Sequence, residues 1–351
     1  MQITDITVFS YEAKYVHGQY SMSGGRVATG HPSIVVRIRT TDGVEGWAES
    51  APLGSDYLPS SFTRELAAIK ELGPHIIGQD PRSPAAIDEI MDKAMLGALH
   101  AKAVIDMACW DLLGKSSFSV IRIQEPEEAI AQVKEELGCG VTALQLKAGD
   151  NPMSDARRVK AVCEMVPGHV QVWADANAGW NLNQALLFAR AIGQGVAVGL
   201  EQPCPTIFEC AEVGRRTGLP IFCDEAVVTL ADLFEAHAAG IAGVNIKPSR
   251  VGGLTKARTM RDAAVALGMT VVSDDTWGSA LTASQNLVLA TTTPSRSLRA
   301  VDLQCEWIEP LIADVPRLEN DGKITASTLP GNGFSNVRMD LLGEPLFTVK
   351  Q

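Results

Sequence analysis

No apolar stretch in this sequence reaches the ~20 residues needed to cross a bilayer, so no membrane span is expected. Positive charge is also scarce: 30 Lys and Arg stand against 41 Asp and Glu, a formal net charge of −11. Neutralising a phosphate backbone needs a basic surface, so nucleic acid is excluded as a partner. The 7 cysteines are odd in number and scattered, with no CxxC pair, and a reduced, cytoplasmic setting is the expectation. The opening MQITDITVFSYEAKY lacks a basic segment followed by a long apolar core, so no signal peptide is expected. No Gly-rich phosphate turn follows a first strand, which argues against a doubly wound dinucleotide-binding sheet.

What the chain does have is a period. Five apolar runs each end in a charged residue: ALQLK at Lys147, VQVWAD at Asp175, VAVGLE at Glu201, PIFCD at Asp224 and GVNIK at Lys247. The steps are 28, 26, 23 and 23 residues, the length of one strand-plus-helix unit. Strands are predicted at 118–123, 142–147, 170–175, 196–201, 220–224, 242–247, 270–274 and 298–302, with amphipathic helical stretches between them. In a parallel (β/α) barrel the C-terminal strand ends converge on one rim, where active sites form. A chain of 351 residues has room for a barrel of about 250 residues and a smaller domain.

Residues 1–115 lack that period. ITDITVF and SIVVRIRTTDGVEGWAES read as strands, the second stretch turning at Asp42-Gly43, and helical patterns follow at 62–73, 84–95 and 98–115. Strands followed by helices predict an α+β domain. Two polar, Gly/Ser-rich stretches, 17–31 and 52–62, are read as irregular lid loops. The expected architecture is therefore α/β: a (β/α)7β TIM-like barrel over 116–309, an α+β capping domain over 1–115, and a 310–351 segment returning to the cap.

At the expected rim, Asp175, Glu201 and Asp224 end consecutive strands. Neighbouring strands lie ~4.8 Å apart, so their carboxylates can reach one cation. An all-oxygen donor set selects a hard ion, most plausibly Mg²⁺. The plain alternative for each is that an acidic residue at a strand end merely begins a polar loop. Asn177 would orient a ligand. Lys147 and Lys247 flank the trio. They are either salt-bridged to the carboxylates or bases whose pKa burial and neighbouring cations lower towards ~7–8. No histidine closes a predicted strand, so imidazole acid–base chemistry at the rim is not expected. His17 and His31, in the lid, are read as solvated in preference to substrate-contacting. Strand seven ends in SDDTWG, placing Asp274, Asp275 and Trp277 at the same pocket; the indole either attracts a substrate cation or packs as a barrel cap.

The stretches LQLKAG (144–149), WADANAGW (173–180), EQPCPT (201–206), CDEA (223–226) and NIKPSRVGG (245–253) together resemble the enolase superfamily, in its muconate lactonizing enzyme branch. That resemblance implies Mg²⁺ on Asp175, Glu201 and Asp224, acid–base catalysis by Lys147 and Lys247, and abstraction of a proton α to a carboxylate of a small-molecule substrate through an enediolate. A homo-oligomer is the expected assembly. The mandelate racemase branch carries a seventh-strand histidine that this chain lacks.

Within the branch, PLGSDYLPS (52–60) and SDDTWG (273–278) are similar to two groups acting on a nitrogen-bearing five-membered ring, cis-3-hydroxy-L-proline dehydratases and proline betaine 2-epimerases. This implies that Tyr57 and Trp277 face the ring nitrogen. Dipeptide epimerisation, muconate-type cycloisomerisation and a non-catalytic binding barrel are the alternatives. Three departures are visible. Gln145 replaces the first lysine of the usual Lys-x-Lys, where its amide can bond a substrate carboxylate. Ala280 stands where both groups tend to carry an acid. The connector 111–123 is short by ~15–20 residues against the ordinary barrel layout.

Overall fold

The N-terminal sheet is built on a long antiparallel pair. Strand β1 (Ile3–Tyr15) runs against β4 (Gly30–Thr40), from Ile3↔Thr40 to Lys14↔Gly30. Between them β2 (Tyr20–Ser21) and β3 (Val27–Ala28) form a short hairpin ladder. The segment 17–31 is thus not irregular throughout, as the sequence predicts; its ends are taken up by pairing, and β4 already starts at Gly30. Strand β5 (Glu45–Ser50) follows β4 through the predicted turn, where Gly43 adopts φ 77, a conformation open to glycine. Helices α1 (Phe62–Ile76), α2 (Pro84–Ala94) and α3 (Leu99–Trp110) complete this part. The computed structural model describes residues 2–21, 25–55, 59–81, 83–111, 119–121, 126–138, 141–302, 304–314 and 337–350. Tyr57 and most of the 111–123 connector lie outside the described residues.

Eight strands follow in one parallel sheet: β6 (Ser119–Ile121), β7 (Ala143–Lys147), β8 (Gln171–Asp175), β9 (Gly199–Glu201), β10 (Ile221–Cys223), β11 (Gly243–Ile246), β12 (Thr270–Ser273) and β13 (Leu298–Val301). Each pairs only with its sequence neighbours, the order of a (β/α) barrel, and every ladder is parallel. The strands are short and apolar because both faces are covered; all five residues of β7 are buried. The intervening helices are α4 (Pro126–Gly138), α5 (Pro152–Met165), α6 (Leu182–Ile192), α7 (Ile207–Thr217), α8 (Leu230–Ala238), α9 (Pro248–Val251), α10 (Leu254–Ala266) and α11 (Ala280–Thr291). Their starts are written in the sequence. Asn181 with Gln184, and Thr229 with Asp232, form reciprocal capping boxes; Asn151 and Thr206 cap α5 and α7.

After β13 the chain makes a 3-10 turn and enters β14 (Ile308–Glu309), which joins the other edge of the cap sheet beside β1. Helix α12 (Met339–Leu342) and β15 (Phe347–Lys350) follow, with β15 antiparallel to β1 from Asp5↔Lys350 to Val8↔Phe347. The fold is a (β/α)7β barrel with an α+β N-terminal capping domain.

A buried joint helps pin the cap to the barrel. Asp106 of α3 accepts from the backbone N (3.0 Å) and Oγ1 (2.5 Å) of Thr255 at the start of α10. Gly253 makes this possible. Its φ is 116, and an added Cβ would lie 2.3 Å from the Asp106 carboxylate. The second glycine of NIKPSRVGG therefore has a packing reason. A separate aromatic core, including Phe9, Tyr15, Tyr20, Trp47, Trp277 and Trp307, fills the space between the cap sheet and α11.

Among the described residues no helix is long and apolar enough to cross a membrane. Six cysteines are described there as free thiols.

Candidate active site

Register places the charged strand ends side by side. Lys147 is the Cα partner of Asp175, and Asp175 of Glu201, so three successive strands end level with one another. Asp224 follows β10, and Lys247 follows β11 as the N-cap of α9. Asp175 and Asp224 are fully buried, Glu201 nearly so, and both lysines are less than a tenth exposed.

The two ammonium groups grip opposite ends of the carboxylate row. Lys147 Nζ lies 2.5 Å from Asp175 Oδ2. Lys247 Nζ lies 3.3 Å from Asp224 Oδ2 and 2.8 Å from Asp274 Oδ2. Arg250, one turn into α9, also donates to Asp224. Glu201, in the middle, accepts from Gln145 Nε2 (2.8 Å), Trp173 Nε1 (2.6 Å) and Asn245 Nδ2 (2.7 Å). The Asn177 backbone N donates to Asp175 Oδ1 at 2.8 Å, and its amide to Glu225 at 3.0 Å. Asn177, Ala178 and Gln202 take positive φ of 44, 57 and 35, uncommon outside glycine and concentrated beside the site. Gln202 Oε1 accepts from the backbone N of Asp224 (2.8 Å) and of Ala226 (3.2 Å), fixing the β10 end.

The electrostatics follow from burying many charges together. Burial, then repulsion from Asp175 and Asp224, pushes the Glu201 carboxyl well above its usual range. Burial also works to raise Asp224, but Arg250 and Lys247 outweigh it and hold that carboxyl low. Burial alone would lower Lys147; Asp175, Tyr20 and Glu201 overcome it and hold the ammonium well above its ordinary value. The expectation of a lowered pKa is therefore corrected at Lys147: its nearest neighbours are anionic, and the cationic influence of Lys247 is smaller.

Among the described residues, no three His, Cys, Asp or Glu side chains are arranged to hold a metal ion. Their carboxylates bond instead to Lys147, Lys247, Arg250 and the donors around Glu201. The chemistry of the set nevertheless fits a hard divalent cation: all donors are oxygens, and the repulsion that raises Glu201 is what a divalent charge would cancel.

Other predicted residues divide. Asp274 joins the site through Lys247, and Gln145 through Glu201. Asp275 is turned onto Ser249, accepting from its backbone N (3.2 Å) and its hydroxyl, and from Thr276 N at 2.7 Å. Burial raises its carboxyl to about 6. Trp277 is 7% exposed, with ring centroids 4.8 Å from Tyr15 and 4.9 Å from Tyr20. Of its two readings, packing is the one whose contacts are in place. His31 is buried against Tyr15 and Trp277, which corrects the solvated reading; burial lowers its pKa to about 4.

Three participants escape the strand-end pattern as applied. Tyr20, from the β2–β3 hairpin, is buried and under the electrostatic influence of Lys147, Asp175 and Lys247. No sequence signal marks it. Burial, then repulsion from Asp274, raises the carboxyl of Asp302, just past β13, well above the usual range. The rule that finds Asp175 finds Asp302 when extended to the eighth strand. Arg250 is visible only once α9 is known to bring it against Asp224.

Glu65 of α1 borders this region and gives a test. Its carboxylate accepts from Ser50 Oγ (2.7 Å) and Ser60 Oγ (2.8 Å), and burial raises its pKa to about 7. The folded state thus holds this proton more tightly than the unfolded chain, whose Glu titrates near 4.3. Stability is fully present below about 4.3 and falls as pH rises towards 7, by about 4 kcal/mol for this group. Denaturant midpoints from pH 4.5 to 8 should show Glu65→Gln losing that share of the decline. An unchanged pH slope in the variant would rule the assignment out.

The site has a recognisable kin. A profile described as "Mandelate racemase / muconate lactonizing enzyme, N-terminal domain" matches residues 5–121, and one described as "Enolase C-terminal domain-like" matches 127–338. The chain belongs to the mandelate racemase/muconate lactonizing enzyme family. It is thus an enzyme of the enolase superfamily. A cis-3-hydroxy-L-proline dehydratase of Roseibium aggregatum is 36% identical over 99% of both chains. An N-succinyl-L-Arg/Lys racemase of Bacillus cereus is 28% identical over 64% of this chain and 66% of its own. A family member from Roseovarius nubinhibens, crystallised with magnesium, superposes with a TM-score of 0.94 at 31% identity, covering 99% of this chain and 100% of that one.

Proposed function

We propose that this family member removes the proton α to the carboxylate of a cyclic amino acid, as a dehydratase of the cis-3-hydroxy-L-proline type. The observation that carries the reading is the pair of buried ammonium groups, Lys147 and Lys247, at opposite ends of the Asp175–Glu201–Asp224 row. Similarity to the Roseibium dehydratase over 99% of both chains supports the substrate class. The reading includes the cap at 1–115, barrel at 116–309 and return at 310–351, a cytoplasmic setting and a homo-oligomeric assembly.

Asp175, Glu201 and Asp224 would hold Mg²⁺, which supplies positive charge where the substrate carboxylate becomes an enediolate. The chain's own groups do the rest. Lys147 and Lys247, on either side of Cα, take the proton and return one. Asp175 holds the proton on Lys147, and Lys247 is paired with both Asp224 and Asp274, so acting as a base requires those carboxylates to be drawn away. Gln145 orients Glu201, and the Asn177 backbone N orients Asp175. Tyr20 from the cap and Trp277 from the segment after β12 close the pocket and exclude water. With a 3-hydroxyl on the substrate, loss of the Cα proton is followed by departure of that hydroxyl as water. Without one, reprotonation on the opposite face gives an epimer, the reaction class of the 2-epimerases of proline betaine and hydroxyproline betaine.

The test is ¹H NMR of candidate prolines and betaines with enzyme and Mg²⁺ in D₂O. Deuterium at Cα identifies the acid, and loss of water or inversion identifies the outcome. No exchange with any cyclic amino acid or betaine, beside exchange with dipeptides, would transfer the reading to a dipeptide epimerase.

A further inference from the structure

The opposite end of the barrel, where β8 and β9 begin, carries a cleft of about 930 Å³ that the chemistry above does not use. Its walls include Arg190, Arg216 and Arg299 and, among the described residues, no Asp or Glu. In a chain with a formal net charge of −11, an acid-free cleft with three arginines is a local reversal of sign.

Arg299 is built into the position. Strand β13 pairs with β12 at Val271↔Leu298 and then Val272↔Ala300, so Arg299 is the extra residue of a bulge. Bulges re-aim side chains. This one sends the guanidinium across the barrel interior, its central carbon 3.7 Å from the Phe222 ring centroid and 4.6 Å from that of Trp173. Gly199 clears the path: a Cβ there would lie 3.3 Å from Arg299 Nη2 and 2.5 Å from Phe222 Cε2.

The rings leave the in-plane donors of the guanidinium to find acceptors. Its Nε is buried with no hydrogen-bond partner among the described residues. Glu201 acts on it through space while accepting its own bonds from Gln145, Trp173 and Asn245. A buried donor without an oxygen partner is costly, and a bound oxyanion is what removes that cost. Arg190 and Arg216 have a plainer role, since both lie in the last turns of α6 and α7, where cations complement the helix ends. Arg216 is also paired with Glu212. Neither explanation covers Arg299, which comes from a strand.

We propose that this cleft is a second, non-catalytic binding site for a small oxyanion, gripped by Arg299 from inside the barrel and by Arg190 at the rim. Two sources share that chemistry, inorganic phosphate and a short dicarboxylate.

Isothermal titration of the whole protein with phosphate, and separately with succinate, at constant ionic strength tests it. At least one of the two binds saturably at one site per chain; which one it is identifies the source. Arg190→Ala and Arg299→Met each weaken that binding by about tenfold or more, the loss expected for a charge-assisted hydrogen bond. Lys247→Met leaves it unchanged, separating it from the active site. Where Arg299→Met does not fold, the exposed Arg190→Ala decides. Absence of saturable binding by either ligand, or binding indifferent to Arg190→Ala, overturns the proposal.

Discussion

Lys147→Met and Lys247→Met should each lower α-proton exchange by about 10²–10⁴-fold, but for opposite enantiomers of the substrate. Lys147 sits at the Asp175 end of the carboxylate row and Lys247 at the Asp224 end, so on the proposed reading each would face one side of a Cα held between them. With Lys147→Met, one enantiomer stops exchanging and the other continues; Lys247→Met gives the reverse. An epimerase loses net inversion with either change, because inversion needs both faces. A syn-dehydratase can use one lysine for proton removal and for protonating the departing hydroxyl, so one of the two variants keeps partial turnover. Folding must be checked in parallel. Removing one partner of a buried ion pair strands the other charge and costs about 3–5 kcal/mol. Equal and complete loss for both enantiomers in both variants, with the fold intact by circular dichroism, would contradict the two-face arrangement. It would leave the lysines as structural counter-ions.

The second large effect concerns Mg²⁺. Chelation should abolish turnover, and Mg²⁺ should restore it. Independently of activity, Mg²⁺ at about 100 times its dissociation constant should stabilise the fold by about 2.7 kcal/mol, read as a rise in melting temperature. Asp224→Asn should lose both responses. That carboxylate is fully buried and already held ionised by Arg250 and Lys247, so the amide removes the charge in the place where it is most firmly kept. A chelated enzyme that retains full turnover, or an Asp224→Asn protein with an unchanged Mg²⁺-dependent melting shift, would refute this ligand assignment.

Much of the architecture was legible because its determinants are local. Strand ends fall within three residues of their expected positions from β7 to β13, since most of the apolar runs are bounded by a charge and those of β7 to β10 are each followed by a side-chain-capped helix. Level strand ends then follow from parallel register, which is why Lys147, Asp175 and Glu201 could be placed as neighbours before any coordinates. The failures have a common cause. Tyr20 reaches Lys147 through the docking of a hairpin from another domain, and His31 is buried by the same docking. Such contacts depend on where two bodies meet, and no period along the chain records that. The Lys147 ionisation was misjudged for a related reason: its balance depends on the distance to Asp175 and Tyr20 as well as on burial.

The pairing of β1 with β15 bears on how the molecule is made. Asp5 and Lys350 become neighbours only after every barrel strand has left the ribosome. The cap sheet therefore waits with one edge unpaired while the β/α units, whose contacts are close in sequence, condense first. Until then the 5–8 stretch of β1 lacks its partner along that edge, the kind of surface that recruits chaperones or other chains. Cells under translational arrest late in this message should accumulate protein with a finished barrel and an aggregation-prone cap.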